Sequence, residues 1–178
     1  IPANRMYKID QQTSPLAEAA GLSSEQSEPA PMFEDISDRL GHIHHENEYD
    51  DFRFSPLLPA KLSRGGPGIV WLDINNDGRE ELLVTSGKDG RAGMFQTHPD
   101  GTFSPFPSAL AELTAAGDQT AASGWHEDGQ TKIAIGSANY EQGNPNAASA
   151  IVYTIENSTI TNTQEIPGVL STTGALAV

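Results

Sequence analysis

The chain has no cysteine. Disulfide frameworks, thiolate nucleophiles, zinc ribbons and iron–sulfur sites are therefore excluded, while the compartment is left open. Basic residues are scarce, with 10 Lys and Arg against 24 Asp and Glu and a formal net charge of −14. That balance argues against nucleic acid, whose phosphates call for Lys and Arg, and against an anionic membrane surface. It favours cations or basic partners, although acidity by itself serves mainly solubility. No run approaches the roughly 20 apolar residues of a membrane span. There is no G-x-S-x-G elbow, Walker loop or dinucleotide glycine fingerprint, and nothing marks a general acid. The chain opens on Ile1 without a visible signal peptide, which reads as a removed leader or a fragment.

What is present falls into three parts within 178 residues, enough for one domain with a sizeable core. Residues 1–31 are rich in Ser, Gln, Glu, Ala and Pro and poor in large apolar residues, so they read as an extended or disordered arm. A short helix fits "SPLAEAAGL", with Ser14 as N-cap and Gly21 as stop. Residues 32–60 form a lead-in loop. Residues 25–51 hold nine Asp or Glu and only one basic residue, Arg39, and read as a solvated acidic face. From 61 to 178 the texture is short apolar β-rich runs flanked by Gly, Asn and Asp. "GIVWLDI", "ELLVTS", "AGMFQT" and "TFSPF" make four strands, the last two joined by the turn "HPDG". Four short strands are the content of one propeller blade.

The pattern recurs. "TAASGWHEDGQTKIAIGSA" parallels "GIVWLDINNDGREELLVTSG", with Asp128-Gly129 falling 51 residues after Asp77-Gly78. "SAIVYTIENSTIT" follows as "RAGMFQTHPDGTF" does, and "LSTTGALAV" echoes "LSRGGPGIV" as a third start. The expectation is an all-β propeller of two blades and the beginning of a third. A propeller normally needs at least about four blades to close, so further blades are expected from a longer chain or a neighbour.

"DINNDGREE" between the first two strands carries the strongest local chemistry. Side-chain oxygens at alternating positions of a tight turn converge on one point, which suits a hard cation such as Ca²⁺ with its six to eight oxygen ligands. Asp73, Asn75 and Asp77 supply oxygens, Gly78 permits the bend, the Arg79 carbonyl turns inward and Glu81 closes the shell. An EF-hand does not fit: its twelfth position would be Val84, and the flanks are strands. A plain Asp/Asn/Gly-rich hairpin turn is the alternative. In the second copy Gly124, His126 and Lys132 stand opposite Asp73, Asn75 and Glu81. An ammonium would occupy the cation's place, so that copy is expected to be a structural turn.

"GIVWLDINNDGREELLVTSG" resembles the FG-GAP/VCBS repeat, an apolar strand, D-x-[DN]-x-D-G-x-x-[DE] and a second apolar strand. The resemblance covers about 61–178 and implies Ca²⁺ at Asp73, Asn75, Asp77, Arg79 (through its carbonyl) and Glu81, within blades of an integrin-like propeller. Upstream, "MFEDISDRLGHIHHENEYDDFRFSPLLPAKLSRGGPGIVWLDINNDG" is similar to secreted proteins of the cartilage acidic protein and ASPIC/UnbV type. That likeness implies an exported protein, extracellular, periplasmic or at the cell surface, and implies no reaction.

Three functions stay open. One is a non-catalytic, Ca²⁺-stabilised module that binds a protein or glycan partner. The second is a polysaccharide lyase or hydrolase with part of its active site elsewhere. The third is an accessory subunit of a larger exported assembly. No catalytic residue is assigned. His42, His44, His45, Glu46, Asp50 and Asp51 form a dense group of potential ligands, but lack a zinc-like spacing and fit better as hydrogen-bonding pins for the loop. Trp71 is expected inside the blade packing and Trp125 more exposed. Tyr140 in "NYEQGNPNAAS" offers a ligand surface, and Asn157 in "NST" fits a glycosylation acceptor in a secreted eukaryotic protein.

Overall fold

A computed structural model describes residues 32–33, 35, 37–138, 141, 147–168 and 176. The arm over 1–31, the "SPLAEAAGL" helix, Tyr140, most of "NYEQGNPNAAS" and nearly all of "LSTTGALAV" lie outside the described residues. The chain divides into residues 1–34 and a compact unit of residues 35–178, which carries the elements described here.

Two four-stranded antiparallel sheets follow one another in that unit. Strands β1 (Ile69–Leu72), β2 (Glu81–Val84), β3 (Gly93–Thr97) and β4 (Phe103–Pro105) pair in chain order, as do β5 (Gln119–Glu127), β6 (Gln130–Ser137), β7 (Ala150–Glu156) and β8 (Thr159–Ile166). Among the described residues, each expected strand run forms a strand. The turn chemistry explains the joints. Gly101, at φ 78°, bends "HPDG", and Asp100 Oδ1 accepts hydrogen bonds from the Thr102 N–H and hydroxyl. The β5–β6 and β7–β8 hairpins close in two residues each, both at positive φ: Asp128 and Gly129 at 51° and 77°, Asn157 and Ser158 at 50° and 63°.

Side-chain alternation decides which faces meet. In the register Val70↔Leu83↔Met94, one face of the first sheet presents Val70, Leu72, Leu83 and Met94. The second sheet answers with Ile133, Ile135, Tyr153 and Ile155, and Ile74, Phe106 and Leu110 complete a single buried cluster. Each such side chain contributes about 1.5–3 kcal/mol by burial. The inner strands approach closely. A Cβ on Gly68 would stand 2.5 Å from the Ala121 carbonyl carbon, and one on Gly124 2.5 Å from Leu72 Cδ2. Thr85, wholly buried, fastens this junction: its hydroxyl donates to Gln119 O (2.6 Å) and accepts from Gly68 N (2.7 Å).

The opposite face of the first sheet is only partly covered. Leu82, Val84 and Phe95 are buried beneath Leu40, from the short helix α1 (Ser37–Leu40), and Phe103. His42 meets Phe95 edge-on at 5.8 Å between ring centroids. On β1, Ile69 and Trp71 remain 57% and 44% exposed. The expectation that Trp71 lies inside the packing is thus corrected: it alternates onto the face away from the second sheet, beside Phe103. Trp125, expected to be the more exposed, is half-buried on β5.

Candidate functional site

The β1–β2 connection holds the first group of carboxylates. Leu72 pairs with Glu81, so Glu81 points into the interface between the sheets and is only 2% exposed. Its Oε2 accepts from Ile74 N at 2.8 Å. Asp73 accepts from Asp77 N (3.0 Å) and Gly78 N (2.8 Å), Asn75 Oδ1 accepts from Asp77 N (2.9 Å), and Asp77 Oδ1 accepts from Arg79 N (2.9 Å). Asn76 and Gly78 supply the positive φ, at 59° and 86°. Asp73, Asn75, Asp77 and Glu81 are therefore gathered on one loop, with Arg79 at its exposed end. Burial, and then the charges of Asp77 and Asp73, push the Glu81 carboxyl above its ordinary range, against the hydrogen bonds from the Ile74 and Asn75 amides.

The second copy is built differently. Asp128 and Gly129 are the whole turn, and the Lys132 ammonium pairs with Glu127. Lys132 occupies the position of Glu81 in the repeat, and its partner is a carboxylate of its own hairpin.

The lead-in loop is not simply a solvated acidic face. Asp51, in the short helix α2 (Asp51–Phe54), is completely buried. It accepts from Leu62 N (2.9 Å), Ser63 N (3.0 Å) and Ser63 Oγ (2.5 Å). Burial pushes its carboxyl up, but these three donors outweigh that and hold it below its ordinary value of 3.8. His45 O accepts from Gly87 N (3.1 Å), and Asn47 Nδ2 donates to Lys88 O (3.1 Å) and Asp89 Oδ2 (3.0 Å). Backbone and amide groups thus do much of the pinning expected of this histidine-rich segment.

From that loop, Glu46 reaches a second carboxylate group. One carboxylate oxygen each from Glu46, Asp118 and Glu141 lies within 4.8 Å of the others. Asp118 precedes β5 and is 3% exposed. Its Oδ1 accepts from Lys88 N (2.9 Å), while Oδ2 is buried without a partner, as is Glu141 Oε1. Burial first, then the charges of Asp118 and Glu46, push the Glu141 carboxyl up to about 7, with Lys88 pulling the other way. The His44 Nε2 lies 3.3 Å from Glu46 Oε2. Such a group can coordinate a divalent cation; it is a binding arrangement, not a defined catalytic site.

In the sequence Glu46 stands out only within the histidine group and Glu141 only within the "NYEQGNPNAAS" loop, while Asp118 carries no signal; Asp118 and Glu141 are 72 and 95 residues away from Glu46. Comparison with family models, curated proteins and solved structures finds no match. The fold defines the class, an all-β protein of repeated antiparallel four-stranded sheets, and the Glu46, Asp118 and Glu141 cluster could coordinate a divalent cation. Among the described residues, no helix is long and apolar enough to cross a membrane.

Proposed function

We propose that the chain is a Ca²⁺-stabilised β-propeller module of FG-GAP/VCBS type, which works outside the cytoplasm as a non-catalytic binding or scaffold unit for a protein or glycan. The observation that carries this reading is Glu81. A carboxylate 2% exposed sits at the base of a loop with Asp73 and Asp77, whose charges oppose its own. A hard cation bound by Asp73, Asn75, Asp77, the Arg79 carbonyl and Glu81 neutralises that arrangement and stiffens the hairpin. Face-to-face stacking of two consecutive four-stranded sheets supports blades. The exposed Ile69 and Trp71, on the face of the first sheet turned away from the second, support a further blade there. Calorimetric titration of metal-free protein with Ca²⁺ tests the loop. Asp77→Ala is expected to remove one binding event, and a variant that titrates like the wild type rejects the reading.

A further inference from the structure

The two carboxylate groups lie at opposite ends of the sheets. The Asp73 loop follows β1. Asp118 adjoins Gln119, whose carbonyl accepts from Gly68 N just before β1 and whose own N–H donates to Ser86 O just after β2. From residue 68 to residue 73 an extended chain covers roughly 17 Å. That exceeds a Debye length of about 8 Å at physiological ionic strength, so charge at one end is largely screened from the other.

We propose that Glu46, Asp118 and Glu141 form a second divalent-cation site, independent of the Asp73 loop, and that Ca²⁺ is its ion. The acidic residues alone would not carry this, because exposed carboxylates commonly stand together in water. The decisive feature is Asp118. It is 3% exposed, its backbone carbonyl accepts from Ala138 N (2.7 Å) and its Oδ1 from Lys88 N, yet Oδ2 faces no donor. A buried carboxylate oxygen without a hydrogen bond keeps the full penalty of having left water. Glu141 Oε1 stands in the same condition in the same cluster. Two residues of one carboxylate cluster that each carry an orphaned buried oxygen call for a common positive partner.

The ligand set selects the ion class. All three donors are hard oxygens, and Ca²⁺–oxygen distances of about 2.3–2.6 Å span up to roughly 5 Å across the ion. Oxygens no more than 4.8 Å apart can share such an ion. The three ligands come from the lead-in loop, the junction between the sheets and the β6–β7 connection. Bound Ca²⁺ therefore ties the lead-in loop to the second sheet, a link that the hydrogen bonds of His45 and Asn47 make only to the first. Lys88 is the internal competitor: its ammonium acts on Glu141, but a single positive charge cannot balance three carboxylates.

The test counts ions. The metal-free 178-residue chain is titrated with Ca²⁺, with Mg²⁺ in a parallel arm, by calorimetry and by native mass spectrometry. The wild type is expected to take two Ca²⁺, and Asp118→Asn and Asp77→Ala one each, with the double variant taking none. Sites this far apart should respond additively. Glu141→Gln keeps Asp118 and its backbone contacts intact. It should weaken the second site at least about tenfold, because affinity follows the charge count of the shell. Circular dichroism confirms that each variant is folded. If Asp118→Asn and Glu141→Gln bind Ca²⁺ with the wild-type count and affinity, the cluster is neutralised by Lys88 and the proposal is overturned. Mg²⁺ filling the site in preference to Ca²⁺ overturns the choice of ion. A wild type that takes one Ca²⁺, kept in Asp77→Ala and lost in Asp118→Asn, supports this site and rejects the loop's.

Discussion

Glu81→Gln separates a ligand from a structural carboxylate. In metal-free protein the substitution has two opposed effects. Glutamine keeps one acceptor for the Ile74 N–H, now 2.8 Å from Oε2, but forfeits the acceptor that faces the Asn75 amide. That loss costs about 1 kcal/mol. Removing the charge relieves repulsion from Asp73 and Asp77, worth on the order of 1 kcal/mol in total at the dielectric of water. The two effects nearly cancel, so the metal-free variant should melt within a few degrees of the wild type. With Ca²⁺ the outcomes diverge. At a free concentration 100 times the Kd, binding stabilises the wild type by about 2.7 kcal/mol. For a chain of this length that raises Tm by about 5–10 °C. Glu81→Gln, which lacks a charged ligand, should gain little. Calorimetric melts with and without Ca²⁺ read the difference, with Asp118→Asn in the background so that only the loop responds. If the variant loses several degrees without metal, and Ca²⁺ then raises both proteins equally, Glu81 serves packing and the reasoning fails.

Asp51 gives a pH signature. Its folded pKa lies below its ordinary 3.8, so its stabilisation is complete above that value and fades as pH falls through the folded one. The stability gap between wild type and Asp51→Asn, from urea melts, should be constant from pH 7 to about 5 and shrink below pH 4; a gap unchanged at low pH contradicts the assignment. The sheet junction gives a steric one. Gly68→Ala drives a Cβ within 2.8 Å of three backbone atoms of Ala121 and Ala122 and strains the amide bonded to Thr85 and Gln119, so it should cost about 2–4 kcal/mol in denaturant unfolding. Gly124→Ala meets only the end of the Leu72 side chain, should cost about 1–2 kcal/mol, and should be partly rescued by Leu72→Val. Equal costs at the two glycines would show that the sheets do not meet as described.

The sheets were legible because strand and turn signals are local. "GIVWL", "ELLV" and "KIAIG" are short apolar runs bounded by Asp-Gly and Asn-Asp pairs, and the offset of 51 residues between Asp77 and Asp128 repeats the whole unit. The ligands proposed for the first loop are read from the same local signal, since all five lie within nine positions. Trp71 was misread because a strand's apolar residues alternate between faces, and the sequence does not say which face a neighbour covers. Glu46, Asp118 and Glu141 were invisible because nothing in their local spacing connects them. They meet only once the lead-in loop has docked on the turn after β2 and Gln119 has bonded to Ser86.

The two hairpins solve one problem in two ways. In the first sheet the β1–β2 ladder stops at Leu72↔Glu81, and eight residues cross between the strands. In the second sheet the matching ladder continues to Glu127↔Gln130 and crosses in two. The extra pairs, Trp125↔Lys132 and His126↔Thr131, occupy the stretch that aligns with Asp73–Glu81. Backbone hydrogen bonds stiffen that end of the second sheet, and Lys132 with Glu127 settles its charge. The first sheet has no such ladder there. Its loop is held by carboxylates that accept from successive backbone amides, and those same carboxylates repel Glu81. The cation proposed for this loop would offset that repulsion, where a longer ladder would have made it unnecessary. Both sheets share the apolar faces that form the core, whereas the carboxylates belong to one loop alone. Packing therefore accounts for the repeat, and the cation binding proposed for the first loop is an addition where the strands end early.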